Sequence, residues 1–175
     1  MPDSSKAKLV AALRAMLNTM PFSAVSVCAL CKTCHLNRKT FYYHYKDKYD
    51  MVCRIFEEEF LNAPSALPLG PAEQSLTALF EYLDQNRSFY VKVLRVEGQN
   101  SFREYFGKMV VDLVWNAHRS HVESDEDLAF LSHFLAGALF TSVFEWITSE
   151  APVPPHVFTA QLKRCIENLT PARRT

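Results

Sequence analysis

Apolar residues recur along this chain at intervals of three and four, the spacing of helix faces, while strictly alternating stretches stay short. Leu9, Leu13, Met16 and Leu17 fall on one face of a helix predicted over residues 4–17, with Ser4 or Ser5 as its cap. Pro21 and its neighbours end that segment. Ser26 is the expected N-cap of a second helix, whose inner face is Val27, Leu30, Cys31 and Cys34. Asn37 is the expected N-cap of a third, about two turns long. Asp47 is placed to cap a fourth over residues 48–60, and Asp50 adds negative charge in its first turn, where the helix dipole favours it. Met51, Val52, Ile55, Phe56 and Phe60 give that helix a buried stripe. Three Pro and one Gly within residues 62–71 then mark a connection. Helical patterns resume over 72–85, 87–97, 101–121, 125–149 and 155–168, separated at Asn86, Gly98, the region of Ser124, and the run Pro152-Val153-Pro154-Pro155. Strand, hairpin and repeat signals are missing, so the expected fold class is all-α. The last residues, 171–175, are expected to fray.

The length, 175 residues, suffices for one domain or two small ones sharing a core. A hydrophobic share of 49% and a charged share of 22% suit a packed globular chain. No apolar run is expected to approach the ~18–20 residues of a membrane span, and the first six residues lack the charged-then-apolar layout of a secretion signal. The expectation is a soluble, cytoplasmic protein with no membrane partner. The net charge is zero, so total charge says nothing for or against nucleic acid. Its distribution says more. Residues 1–60 carry nine Lys and Arg against six Asp and Glu, and three of those acids are Glu57, Glu58 and Glu59 at the far end.

The positive end coincides with an unusual segment. In Asn37-Arg38-Lys39-Thr40-Phe41-Tyr42-Tyr43-His44-Tyr45-Lys46-Asp47-Lys48, polar and basic side chains alternate with aromatics around one short helix. Residues 26–36 before it read as a helix and a tight turn. Together they make a helix-turn-helix, whose second helix enters a DNA major groove. At roughly 1.5 Å per residue that helix is ~10 Å long, against a groove ~12 Å wide.

Thr40 to Lys48 resembles the T-[LF]-Y-x-H-F-x-x-K signature of the TetR/AcrR family of bacterial transcriptional regulators, and residues 9–56 follow that family's order of features. Further on, Gly137-Ala138-Leu139-Phe140, then Glu145-Trp146-Ile147 and a Pro-bounded last helix, are similar to a subgroup that includes activators of dihydroxyacetone kinase operons. The resemblance implies a DNA-binding head over 1–48, a connecting helix over 49–61, and a helical body over 72–170 that dimerises and binds an effector. It implies a ligand-responsive regulator, a repressor more readily than an activator, acting as a homodimer on a palindromic operator. The dimer would form through the helices at 125–149 and 155–168, and the effector would act by tilting the connecting helix. No cofactor or metal is expected.

The resemblance also assigns roles. Ser26 would cap its helix and touch phosphate. Thr40, Tyr42, His44 and Lys48 would contact the DNA backbone, since hydroxyl, phenol, imidazole and ammonium all donate to phosphate. Arg38 and Lys39 would read bases, both being able to donate to guanine O6 and N7. Tyr43 is a further backbone or base candidate. Leu36, Phe41 and Tyr45 would anchor the helix. His35 stands where the family usually has Gly, at a position that tends to need positive φ; His tolerates this better than most residues.

Other residues leave two readings open. Cys28, Cys31, Cys34 and His35 form a Cys-x-x-Cys-x-x-Cys-His run that suits a metal site, an iron–sulfur site or a redox switch. They also suit small buried positions, where Cys acts as a hydrophobe. An odd total of five Cys argues for reduced thiols. His118, His121 and His133 are ligand candidates or structural helical residues. Fourteen aromatics between Phe80 and Phe158 line an effector pocket or fill a core. The run 125–149 packs against a second copy or within one subunit. No Ser/His/Asp, paired-carboxylate or phosphate-loop arrangement asks for catalysis, so the chain is read as a non-enzyme. The competing function is a helical subunit that works through a protein partner.

Overall fold

The computed structural model describes residues 4–62, 72–120, 122 and 124–169, without the side chains of residues 72–75, 117, 167 and 169. Among them there is no strand. The helices are α1 (Ser4–Thr19), α2 (Val27–Thr33), α3 (Arg38–His44), α4 (Lys48–Phe56), α5 (Ala72–Gln85), α6 (Arg87–Leu94), α7 (Phe102–His118), α8 (Asp125–Thr148) and α9 (Pro155–Leu169). A 3₁₀ turn occupies Phe22–Ala24 and a π-helical turn Glu57–Leu61. The all-α expectation is met. The Pro-rich connection lies outside the described residues from 63 to 71, as do residues 170–175 and His121.

Two compact units result, and they do not follow chain order. One joins Met1–Ala63 to Ser88–Lys108; the other joins Pro64–Arg87 to Met109–Thr175. In the first, α1 buries Leu9, Leu13, Met16 and Leu17, α3 buries Phe41, and α4 buries Met51, Val52, Cys53, Ile55 and Phe56. Phe56 is the hub of an aromatic cluster, its ring 5.4 Å from Phe102 and 6.1 Å from both Tyr90 and Phe106. Edge-on aromatic pairs of this kind add ~0.5–1.5 kcal/mol beyond simple burial. In the second unit, Trp146 stacks on Phe158 at 4.9 Å, and Phe80 closes the cluster at 5.6 and 5.0 Å from them. Arg87 donates to the carbonyls of Trp146 and Ser149, satisfying acceptors left over at the end of α8.

Several boundaries differ from the sequence expectation, three of them instructively. Ser4 and Ser5 lie inside α1, not before it. The fourth helix does not run to residue 60 as an α-helix: its end widens into the π turn, closed by Asn62 N–H donating to Glu57 C=O at 2.7 Å. That register suits three adjacent carboxylates with different partners. Glu57 accepts from Tyr105, Glu58 pairs with Lys6, and Glu59 accepts from Arg14 at 2.6 Å. α6 stops at Leu94 because Gly98 at φ 119° and Asn100 at φ 62° turn the chain, and Ser101 then accepts from Glu104 N–H to start α7.

Candidate nucleic-acid interface

Residues 26–44 form two short helices joined by a tight turn. Ser26 Oγ accepts from Ala29 N–H at 3.1 Å, Asn37 Oδ1 from Thr40 N–H at 2.8 Å, and Asp47 Oδ1 from Tyr49 and Asp50 N–H at 2.8 Å each. The caps expected at Ser26, Asn37 and Asp47 are therefore in place, each worth ~1 kcal/mol, unlike the one expected at Ser4 or Ser5. His35 has φ 55°, the left-handed turn expected of it. Leu36 N–H donates to Cys31 C=O at 2.9 Å across the turn, and Cys31 Sγ donates to Asn37 C=O at 3.7 Å. The cap residue of α3 is thus tied back to the body of α2.

The face of α3 opposite Phe41 and Tyr45 looks outward. Arg38 and Lys39 are exposed, Tyr42 is 49% exposed and Tyr43 83%. Residues 38 and 42, like 39 and 43, are one turn apart and share a face. Arg38 donates to Tyr42 Oη at 3.1 Å, with its guanidinium 5.6 Å from the ring. That bond holds the guanidinium pKa up, and it leaves the phenol proton available for an acceptor outside the protein. Lys39 and Tyr43 make no hydrogen bond among the described residues. Ser26, exposed at the start of α2, uses a lone pair for its cap and keeps its own proton.

Three other residues of the expected set are tied inward. Thr40 Oγ1 donates to Asn37 Oδ1 at 3.0 Å. His44 Nε2 lies 2.9 Å from Ser5 Oγ on α1, a partner the sequence did not suggest. Lys48 donates to the carbonyls of Phe22, Ser23 and Val25 at 3.0, 3.1 and 2.8 Å. Those are all the donors an ammonium has. The rings of Phe22 and Tyr49 flank it at 4.9 and 5.4 Å, and burial pushes its pKa down. Lys48 thus braces the 3₁₀ turn that delivers the chain to Ser26. A phosphate contact from this side chain has to displace one of three internal bonds. Tyr45 packs in the core with its hydroxyl buried and unpartnered among the described residues, and burial raises its pKa.

Elsewhere, α8 has the length and composition of a membrane span: it is 24 residues long and contains an 18-residue window of mean hydropathy 1.5, of which 22% is buried. The expectation that no run reaches such a length fails here on those two criteria. The helix nonetheless begins with Asp125, Glu126 and Asp127 and buries Leu128, Ser132, Ala136, Val143, Trp146 and Ile147 within its unit. Its other side carries Phe130 at 75% exposure and Phe134 at 62%, stacked at 6.3 Å, followed by exposed Gly137, Ala138 and Thr141. The outward positions of α9 are mostly polar instead: His156, Gln161, Lys163, Arg164 and Asn168. His118 and His133 bond the carbonyls four residues back in their own helices. Among the described residues no three His, Cys, Asp or Glu side chains are placed to hold a metal ion. An open groove of about 530 Å³ lies beside the end of α1, between Thr19–Ser23 and Lys92, Arg95 and Val96.

Residues 71–168 match the family described as transcriptional regulator C-terminal region, of TetR type. A TetR transcriptional regulator from Streptococcus agalactiae has the same fold, with a TM-score of 0.70 and 19% identity over 93% of both chains. So does the dihydroxyacetone kinase operon activator DhaS, with a TM-score of 0.66 and 19% identity over 95% of this chain and 96% of that one. In sequence, the chain is 18% identical over 173 residues to YxbF of Bacillus subtilis, an uncharacterised helix-turn-helix transcriptional regulator. That match takes in 93% of this chain but 44% of YxbF, so the chain spans less than half of that relative's length.

Proposed function

The chain belongs to the TetR family of transcriptional regulators, and from that premise we propose that it is a homodimer whose two α3 helices enter successive major grooves of a roughly palindromic operator. One observation carries this reading. Arg38, Lys39, Tyr42 and Tyr43 stand together on the outward face of α3, with donors that the protein's interior does not use up. Such a surface fits a polyanion with readable edges. Arg38 and Lys39 reach for base acceptors, while Tyr42, Tyr43 and Ser26 donate to phosphates and fix the register. Thr40, His44 and Lys48 serve the same surface from behind, by holding the cap, the α1 contact and the preceding turn.

A dimer is part of the proposal for two reasons. One helix of seven residues makes too few contacts for specific binding by itself. And α8 offers Phe130, Phe134, Gly137 and Ala138 as a self-complementary apolar stripe; a methyl added at Gly137 meets nothing within its own chain. The polar outward side of α9 suits the rim of such an interface. Repression by blocking the operator is the expected sign of action. A small effector relieves it if it binds better to the dimer that does not fit DNA, since equal affinity for both states shifts nothing.

The test is selection of genomic fragments by the purified protein. The expected result is a two-fold-symmetric site whose affinity falls steeply with salt. A well-folded dimer that retains no duplex DNA even at low salt overturns this reading in favour of a subunit acting through a protein partner.

A further inference from the structure

One thiol of α2, that of Cys31, is tied to the turn that aims α3. Cys31 is buried, Cys34 half-buried and Cys28 exposed. Cys34 Sγ donates to Leu30 C=O at 3.2 Å and lies 3.6 Å from Cys31 C=O, so it folds back over the last turn of α2 towards Cys31. Cys31 Sγ points the other way along the same turn, to the backbone carbonyl of Asn37. His35 follows directly in its left-handed conformation. The Cys31 S–H group therefore ties α2 to the start of α3, while the Cys34 S–H group closes the last turn of α2.

We propose that Cys31 and Cys34 are a reversible thiol–disulfide pair, closed by a peroxide, whose closure shifts the α2–α3 turn and releases α3 from DNA. This rests on the DNA-binding reading above. Cβ atoms three apart on a helix stand ~5–6 Å from each other, whereas a disulfide needs about 3.8 Å. The backbone has to move to close that gap. Cys34 is where it can move, because it is the C-cap of α2, with φ −101° and ψ 9° outside the helical region, although its N–H still donates to Leu30 C=O at 3.2 Å. Cys28 lies in the first turn, held by the Ser26 cap, and is the poorer partner. Closure also removes both S–H donors and with them the tie from Cys31 to the cap residue of α3.

The chemistry balances. Cys34, the more accessible thiol of the pair, attacks one peroxide oxygen as its thiolate; the O–O bond breaks and hydroxide leaves, taking up the thiol proton as water. The resulting sulfenic acid is attacked at sulfur by Cys31. The S–S bond forms, the S–O bond breaks, and the hydroxyl leaves as water with the Cys31 proton. Two thiols are oxidised and one peroxide is reduced to two waters. Burial, then the neighbouring Cys34 and Cys28, raise the Cys31 pKa, so Cys31 is the less readily ionised thiol and the first attack falls to Cys34. A dithiol reductant reverses the reaction by exchange.

The purified full-length dimer is treated with hydrogen peroxide, then with dithiothreitol, and followed by two readouts. Peptide mapping is expected to find Cys31 joined to Cys34, with the loss of two hydrogens. Affinity for the selected operator fragment is expected to fall on the order of 10–100-fold, the usual span of a coupled switch, and to return on reduction. Cys34→Ser should bind like the reduced protein and ignore peroxide; Cys28→Ser should stay sensitive. Operator affinity unchanged in mapped, disulfide-closed protein overturns the switch, as does a Cys34→Ser variant that is still inactivated or a peptide map with no Cys31–Cys34 link. A reduced protein that binds no duplex fails the DNA reading itself; a mapped link in that sample places the failure there, not in the thiol chemistry.

Discussion

α3 and α8 both turn one side to the interior and one to solvent, and the chemistry they leave exposed is opposite. Seven residues of α3 put out a guanidinium, an ammonium and two phenols. The 24 residues of α8 contain no Lys or Arg at all and put out two stacked phenylalanines beside small residues. The contrast shows that exposure alone does not define a functional surface. A donor-rich face loses little in water and gains from an anion, whereas an apolar face is costly in water until another apolar face covers it. On the proposed reading, one helix serves DNA and the other a second copy.

The comparison breaks most visibly at α8. Phe134→Glu puts a charge in the centre of the proposed dimer contact and should cost ~2–4 kcal/mol or more of association, the scale of an interface hot spot. Sedimentation should then show a folded monomer, and operator affinity should collapse although α3 is untouched. A dimer that survives this change moves the interface off α8. On α3, Arg38→Ala or Lys39→Ala should cost ~1–3 kcal/mol at particular base pairs and relax preference there. Equal losses on operator and random DNA remove both residues from base reading.

Lys48 separates a contact from a brace. Lys48→Met leaves three carbonyls without their donor and should lower stability by ~1–3 kcal/mol, with the salt dependence of DNA binding unchanged. A normal melting temperature together with a salt slope reduced by ~1 per subunit returns Lys48 to the phosphate-binding set. The smallest effect concerns Tyr45, which stands where the family signature has Phe. Tyr45→Phe removes a buried hydroxyl that has no partner among the described residues, and should be neutral or raise stability by up to ~1 kcal/mol. A clear loss in thermal melting shows that the hydroxyl has a partner after all.

Local chemistry explains what was readable in advance. Caps depend on residues within three positions, so Ser26, Asn37 and Asp47 were recognisable as helix starts. Helix faces depend on periodicity, so Leu9, Leu13, Phe41 and Phe56 could be assigned to the interior. His35 was readable from the resemblance, because it stands where the family usually has Gly at a position that tends to need positive φ. What stayed hidden depends on distant chain. The ammonium of Lys48 meets carbonyls 23 to 26 residues earlier, and Ser5 meets His44 across 39 positions. No spacing rule reaches that far. The π turn escaped because its residues continue an ordinary helical pattern. α8 escaped in another way: it is apolar nearly all round, so periodicity cannot tell the side facing its own core from the side that faces out.

That apolar column on α8 has a bearing on the life of the protein in a crowded cell. In the proposed dimer, a newly finished subunit carries Phe130 and Phe134 uncovered until it meets another. During that interval it is a target for chaperones and a seed for aggregation, so the amount of usable regulator depends on how quickly copies find one another. Scarce synthesis then lengthens the vulnerable period, and the number of assembled molecules falls faster than the number of chains made.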